Sequence, residues 1–234
     1  MRSPLNKRLF RELRGEFGKY LVIFILMTLT IGMVSGFLVA DGSMIQAYEE
    51  SFEKYNIENG HFRTEKKMNN VQIQDIEDLG IKLYENYYVE EALTNGSTMR
   101  IFKNRDEVNK VCLMKGKMPE KPGEIGIDRM YADNNDLSVG DEIESGGHTW
   151  KITGLVALSD YSALFSNNND SMFDSVKFGV SVVCPEEFDS YKADQLNYSY
   201  AWKYNTEPKN EKAEKDISED LMEDVAKEVT LEEF

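Results

Sequence analysis

The sequence has no GxxxxGK[ST] loop, so the chain does not cradle ATP phosphates by that device. It has no GxSxG nucleophile elbow. Histidine and cysteine number two each, and neither an HExxH pair nor a cysteine pair at zinc spacing occurs. His61 and His148 therefore read as surface or turn residues, not as ligands. Asp133–Glu142, DNNDLSVGDE, has the acidity of a calcium loop but not its pattern. Leu137 stands where the third ligand belongs, and Ser138 where glycine is required. The sequence thus nominates no catalytic, cofactor-binding or metal-binding residue. It implies no cofactor, and the chain does not read as an enzyme.

Positive charge is scarce beyond the first 40 residues. The whole chain carries 27 Lys+Arg against 42 Asp+Glu, net −15. Residues 41–234 keep 21 basic and 40 acidic side chains. Such a surface repels nucleic acid and anionic headgroups, which excludes nucleic acid as a partner. Aromatic residues make up 11% of the chain, enough for a packed core and too many for a disordered stalk. The two cysteines, Cys112 and Cys184, lie in strand-like runs. An exported position would permit a disulfide, but buried thiols are common and the reading favours free cysteines.

One stretch is missing its charges altogether. Tyr20–Ala40, YLVIFILMTLTIGMVSGFLVA, runs 21 residues between Lys19 and Asp41. As a helix it spans about 30 Å, the thickness of a hydrocarbon core. No other part of this polar chain could wrap it as the buried helix of a soluble protein. A cleaved signal peptide is a second alternative, but the run exceeds an ordinary h-region and Leu38-Val39-Ala40 is a marginal cleavage site. Residues 1–19 carry Arg2, Lys7, Arg8, Arg11, Arg14 and Lys19 against Glu12 and Glu16. That excess places the N-terminus inside and residues 41–234 outside. Leu5, Leu9, Leu13 and Phe17 recur every four residues, the pattern of a cytoplasmic amphipathic helix lying along the membrane. Gly32 and Gly36 offer a close-packing face for a neighbouring helix.

The expected order is a cytoplasmic amphipathic helix at 1–19, a transmembrane helix at 20–40 and a stalk helix at 41–55. An extracytoplasmic core at 56–204 and an acidic C-terminal helix at 205–234 follow. In the stalk, Met44, Tyr48, Phe52 and Tyr55 share one face, and Asn59-Gly60 ends it or turns the chain. Val71–Leu79 is ambiguous between strand and helix, with Gly80 favouring a helix end. Ile81–Leu93 reads as one strand, paired through an Asn95-Gly96 turn with Thr98–Lys103. Val111–Met114, Glu124–Ile127, Glu142–Glu144 and Trp150–Val156 read as strands, and Met130–Asp136 as a helical turn. Asn167–Asp170 reads as an exposed loop. Val176, Phe178, Val180 and Val182 alternate with polar or small residues, as in a half-buried strand. Leu196, Tyr198, Tyr200, Trp202 and Tyr204 form an aromatic ladder whose simplest reading is a core-facing sheet. Ile217, Leu221, Val225 and Val229 give the C-terminal segment one apolar helical face. The fold class is α+β: one transmembrane helix, then a mixed domain of two subdomains.

The stretch Lys115–Val156 contains GxxP, PGEIxI, YA, LxVGDxI and KITGxV in that order. The residues are Gly116, Pro119, Pro122, Gly123, Glu124, Ile125, Ile127, Tyr131, Ala132, Leu137, Val139, Gly140, Asp141, Ile143, Gly147, Lys151, Ile152, Thr153, Gly154 and Val156. With the basic segment and apolar helix before it, the chain from about Leu9 to Val183 resembles ABC-transporter permeases of the MacB/FtsX type. The resemblance implies a permease-type membrane subunit, or an N-terminal fragment of one. It would couple a separate ABC ATPase to an extracytoplasmic domain by mechanical transmission. The implied partners are the lipid bilayer, the ATPase subunit and a second permease chain, as homo- or heterodimer. Members of the family carry three further membrane helices after this domain. The chain has no second apolar run before Phe234, so a fragment, an interrupted gene product, or a permease half needing another piece is expected. The alternative of a different class is a single-pass membrane-anchored binding or sensor domain without transport activity.

Overall fold

The computed structural model describes residues 14–229 except 162, 168 and 169. Most of the expected cytoplasmic helix, two residues of the Asn167–Asp170 loop and the last five residues lie outside the described residues.

Two units are distinguished, residues 1–50 and 51–234. The first is helical. Helix α1, Phe17–Tyr55, runs for 39 residues without a break at Gly42, and no residue in it is buried. Its apolar side chains, Phe37 and Leu38 among them, are exposed. The hydroxyls of Thr28 and Thr30 donate to the carbonyls of Phe24 and Leu26 at 2.8 Å, so both are satisfied within the helix. Among the described residues this is the one helix long and apolar enough to cross a membrane. It fits a single-pass membrane protein.

The end of α1 belongs to the second unit and falls at Tyr55, the last residue of the expected stalk, ahead of Asn59-Gly60. Asn56 takes a left-handed conformation, φ 47°, and its N–H donates to Glu53 O while that of Ile57 donates to Phe52 O. That paired bonding is the αL helix stop that asparagine can adopt. Gly60 instead opens strand β1, Gly60–Thr64. Trp202 lies over it, 2.6 Å from where a Cβ would stand.

Strand β1, strand β2 (Ile81–Glu85) and strand β10 (Tyr198–Tyr204) form a three-stranded sheet in the order β1-β10-β2, antiparallel throughout. Between β1 and β2 lies helix α2, Asn70–Glu77, started by a reciprocal cap: Asn69 Oδ1 accepts from Val71 and Gln72, and Gln72 Oε1 from Asn69 N–H. Helix α5, Glu211–Glu228, buries Leu221 and Val225 with Val229 beside them, in one core with Ile76 of α2. Ile217, expected on that apolar face, is 45% exposed.

The second sheet contains seven strands. β3 (Tyr88–Ala92), β4 (Thr98–Lys103), β9 (Phe178–Val183), β6 (Glu124–Asp128), β8 (His148–Ala157) and β5 (Cys112–Gly116) follow one another across it, with β7 (Glu142–Ser145) paired to β8. An isolated bridge from Leu93 to Ser145 brings the end of β3 back to β7, so the sheet curls toward closure. Helix α3, Arg129–Asn134, follows β6, and helix α4, Pro185–Phe188, follows β9. The molecule is α+β, as expected.

Two strand expectations need correction. Ile81–Leu93 is not one strand. It breaks at Asn86-Tyr87, and its halves β2 and β3 belong to different sheets. β9 is not half-buried. All six residues are buried, because β4 pairs with it in parallel on one side and β6 antiparallel on the other, deep inside the sheet. The aromatic ladder resolves as core: Tyr200 and Trp202 are buried in the central strand of the small sheet, with Tyr198 and Tyr204 half-buried.

Candidate functional site

The residues that carry the sequence resemblance do structural work. Gly116 ends β5 at φ 80°, and a Cβ there would collide with the Thr153 carbonyl. Glu124 accepts from Glu120 N–H at 2.9 Å and from Lys117 Nζ at 3.2 Å, closing the proline loop. Ile125, Ile127, Tyr131, Ala132 and Ile152 have no exposed surface. Asp141 accepts from Ser138 N–H at 2.8 Å, and Gly140 N–H donates to Ile152 O at 2.8 Å, fixing the turn onto β8. These groups are spent on turns and packing.

The two histidines are placed apart. His61 Nδ1 lies 2.6 Å from Glu58 Oε1. Its pKa is raised, chiefly by that hydrogen bond and secondarily by the carboxylate's charge, against the opposing cost of burial. His148 stacks on Trp150 at 5.4 Å between ring centroids. Among the described residues no three His, Cys, Asp or Glu side chains come together as a metal-ligand set. Cys112 and Cys184 are free thiols, the first accepting a hydrogen bond from Tyr55 OH at 3.0 Å.

The chemistry that is not spent on the fold gathers where the chain passes from one sheet to the other. Asn86 sits at that crossing. It is buried, and its N–H donates to Ser199 O of β10 at 2.9 Å. Beside it opens a groove of about 730 Å³, lined among others by Leu83, Tyr87, Arg105, Phe188, Leu196 and Tyr198. A smaller cavity of about 160 Å³ has Arg100, Asp160 and Tyr161 in its wall. Asn86 lines both.

Two arginines serve this region in opposite ways. Arg100, on β4, is buried and its donors are taken. Nε and Nη2 donate to Glu90 Oε1 at 2.9 and 2.7 Å, Nη2 also to Ser166 O at 2.8 Å, and Nη1 to Tyr161 OH at 2.7 Å. Burial pushes the Tyr161 hydroxyl up to about 12, so it stays a neutral partner. The guanidinium also lies over the rings of Tyr88 and Phe178. Arg105 follows β4 by two residues. Its Nη1 donates to Asp160 Oδ2 at 2.7 Å, and both side chains are buried, 7% and 5% exposed. The guanidinium caps the Phe102 ring at 4.6 Å. Yet Arg105 Nε and Nη2, Asp160 Oδ1 and Asn86 Oδ1 have no hydrogen-bond partner among the described residues. Asn86 Nδ2 reaches Asp160 Oδ2 only at 3.5 Å. Desolvating charged groups without full hydrogen bonding is costly, so four open valences in one cluster mark a place where water or a ligand belongs.

Sequence reasoning missed this cluster. Arg105 and Asp160 are 55 residues apart and no local pattern joins them.

Neither a protein-family model nor a characterised protein's sequence matches the chain. Among solved structures, it is similar to the periplasmic region of MacB from Actinobacillus actinomycetemcomitans. The identity is 12% and the TM-score 0.36, over 71% of this chain and 83% of that one. It is also similar to the extracellular domain of the ABC-type transporter YknZ from Gram-positive bacteria. There the identity is 9% and the TM-score 0.35, over 68% of this chain and 88% of that one.

Proposed function

We propose that the chain is a permease-type membrane subunit, or an N-terminal portion of one, that carries an extracytoplasmic domain moved by a separate ABC ATPase. The observation that carries this reading is α1. One helix holds the uncharged run Tyr20–Ala40 and continues without a break to Tyr55, inside the folded unit that contains the ordered motif residues from Gly116 to Val156. At about 1.5 Å per residue, 39 residues make a rod of about 58 Å, roughly twice the thickness of the hydrocarbon core. In this reading a displacement at its inner end reaches the domain through that continuous helix. The six basic residues of segment 1–19 orient it, N-terminus inside. A second permease chain packs on the face of Gly32 and Gly36, four residues apart, where small residues let a neighbouring helix approach closely.

The test has two parts. In a cysteine-free background, a cysteine at position 3 is protected from a membrane-impermeant thiol reagent in intact cells, and one at Lys192 reacts. The reverse labelling refutes the orientation. Purification from the native membrane then recovers an ABC ATPase with the wild-type chain, in an amount that falls when Gly32 and Gly36 are both replaced by Leu only if the ATPase requires the paired permease. Recovery of the chain with no ATPase at all favours the anchored binding or sensor domain.

A further inference from the structure

We propose that the groove beside Asn86 is a binding site for a small molecule bearing a single carboxylate on an apolar body, with Arg105 as its anchor. The inference stands on the geometry of the folded unit and does not rest on the transporter reading. Nε–H and Nη2–H of a guanidinium point to the same side and form the fork that clasps both oxygens of a carboxylate. In Arg105 that fork is the edge left without a partner among the described residues, because Asp160 takes only Nη1. The side chain is 7% exposed, so bulk water does not satisfy it. Arg100, three positions along the other side of β4's end, shows what this fold does with a structural arginine: every nitrogen is bonded.

The rest of the groove says which anion fits. Lys103 and Lys67, the other cations in its wall, pair with Asp189 at 2.9 Å and Glu85 at 3.3 Å. Asp106 and Glu107 add two further carboxylates. A dianion such as phosphate would face this acidic wall and Asp160 with only one free fork to hold it. A monoanion carries half that repulsion. Tyr87, Tyr198, Phe188, Leu83 and Leu196 supply an apolar wall for the body of the ligand, and Asn86 Oδ1 is an unused acceptor for an N–H or O–H on it. The volume, about 730 Å³, lies in the range of small-molecule pockets. Both fork nitrogens are shielded in this state, so seating a carboxylate on them requires the side chains over them to move.

The probe is 4-phenylbutyrate, with 4-phenylbutanamide as its uncharged counterpart and inorganic phosphate as the competing anion. Each is titrated into the full-length chain in detergent while the Arg105 ¹⁵Nε resonance is followed. The acid shifts that resonance saturably, and the amide and phosphate do not. Arg105→Lys keeps a cation beside Asp160 but removes the fork, and weakens the acid about tenfold or more. Tyr198→Ala, on the half-buried wall, weakens it without touching the fork. Equal binding of acid and amide, an undiminished affinity in Arg105→Lys, or phosphate displacing the acid overturns the proposal, leaving ordered water or an unselective cation in its place. Should Arg105→Lys fail to fold, the contrast of acid and amide on the wild-type chain still decides.

Discussion

The ring of Tyr131 fills the space that a side chain on Gly179 would need: a Cβ built there would lie 2.7 Å from Cδ2 and Cγ of the ring. Tyr131 is fully buried, and its hydroxyl meets Ser97 Oγ at 2.6 Å. Helix α3 is thus seated on β9 through one ring and one missing side chain. Gly179→Ala therefore destabilises the fold by about 1–3 kcal/mol, the usual cost of overpacking. A chemical-denaturation midpoint equal to that of wild type would show that the ring moves aside freely.

Trp150 anchors the same sheet from β8. It is fully buried, and Nε1 donates to Ser145 Oγ at 2.9 Å. Ser145 in turn bonds Glu91, whose other oxygen accepts from Tyr191 OH at 3.0 Å. Trp150→Ala removes the ring and one donor of this buried chain, and costs about 3–5 kcal/mol. Trp150→Phe keeps most of the packing and costs less. A loss below about 0.5 kcal/mol for the alanine variant, measured by urea unfolding, would place Trp150 outside the core.

The two thiols differ in access. Cys184 is buried at the end of β9, while Cys112 is half-buried at the start of edge strand β5. In the native chain one thiol reacts with an aromatic disulfide reagent on the scale of minutes, and it disappears in Cys112→Ser. The second reacts only on unfolding. Two thiols of equal reactivity, or none in denaturant, would contradict the free, unequal pair seen here.

What the sequence made legible follows the range of the interactions. The turns of the 116–156 segment were readable because glycines and an aspartate fix them within a few residues, as at Gly116 and Asp141. The apolar run of α1 and the Asn95-Gly96 hairpin were readable for the same reason. β9 was misread as half-buried because Gly179 and Ser181 look like a solvent face. They are instead the small residues that leave room for Tyr131 and for β4, whose Arg100 carbonyl accepts from Ser181 Oγ at 3.4 Å. Nothing local marks the switch between sheets at Asn86, since β2 and β3 have the same apolar character on either side. The site itself was out of reach, because Arg105 and Asp160 meet only after both sheets have formed.

Asp128 caps α3, its Oδ1 accepting from Met130 N–H at 2.7 Å and Tyr131 N–H at 3.1 Å. Its pKa is raised, with burial the largest cause, opposed by those two hydrogen bonds. A carboxyl with a raised folded-state pKa adds stability below its unfolded value, about 3.9, and that share is lost as pH rises through the folded value. Asn in its place accepts the same hydrogen bonds and does not titrate. The difference in melting temperature, Asp128→Asn minus wild type, is therefore more favourable to the variant at pH 7 than at pH 3. Asp128→Ala loses the cap at every pH, about 1 kcal/mol. A difference that grows in favour of wild type between pH 3 and pH 7 would mean that the capping bonds outweigh burial.

The same linkage runs through His61, from the opposite chemistry. Its ring is held 2.6 Å from Glu58, and this hydrogen bond, with the carboxylate's charge, raises its pKa above the ordinary value of about 6.5. Charging the ring strengthens the bond, so protonated His61 favours the folded state. That contribution is whole below about pH 6.5 and fades as pH climbs through the folded pKa. Glu58 also accepts from Asn109 Nδ2, and Asn109 Oδ1 accepts from Glu58 N–H at 2.9 Å, so the carboxylate is held in place at the end of α1. The side chain of His61 is 43% exposed, which keeps the effect modest through solvent screening. In a pH series of thermal melts, wild type loses stability relative to His61→Gln between about pH 6.5 and the folded pKa, and the two curves run parallel above it. Glu58→Gln lowers the ring's NMR titration midpoint toward the free value. A His61 midpoint at or below 6.5 in the wild-type chain would mean that burial, not Glu58, governs the ring, and the stability difference would then slope the other way.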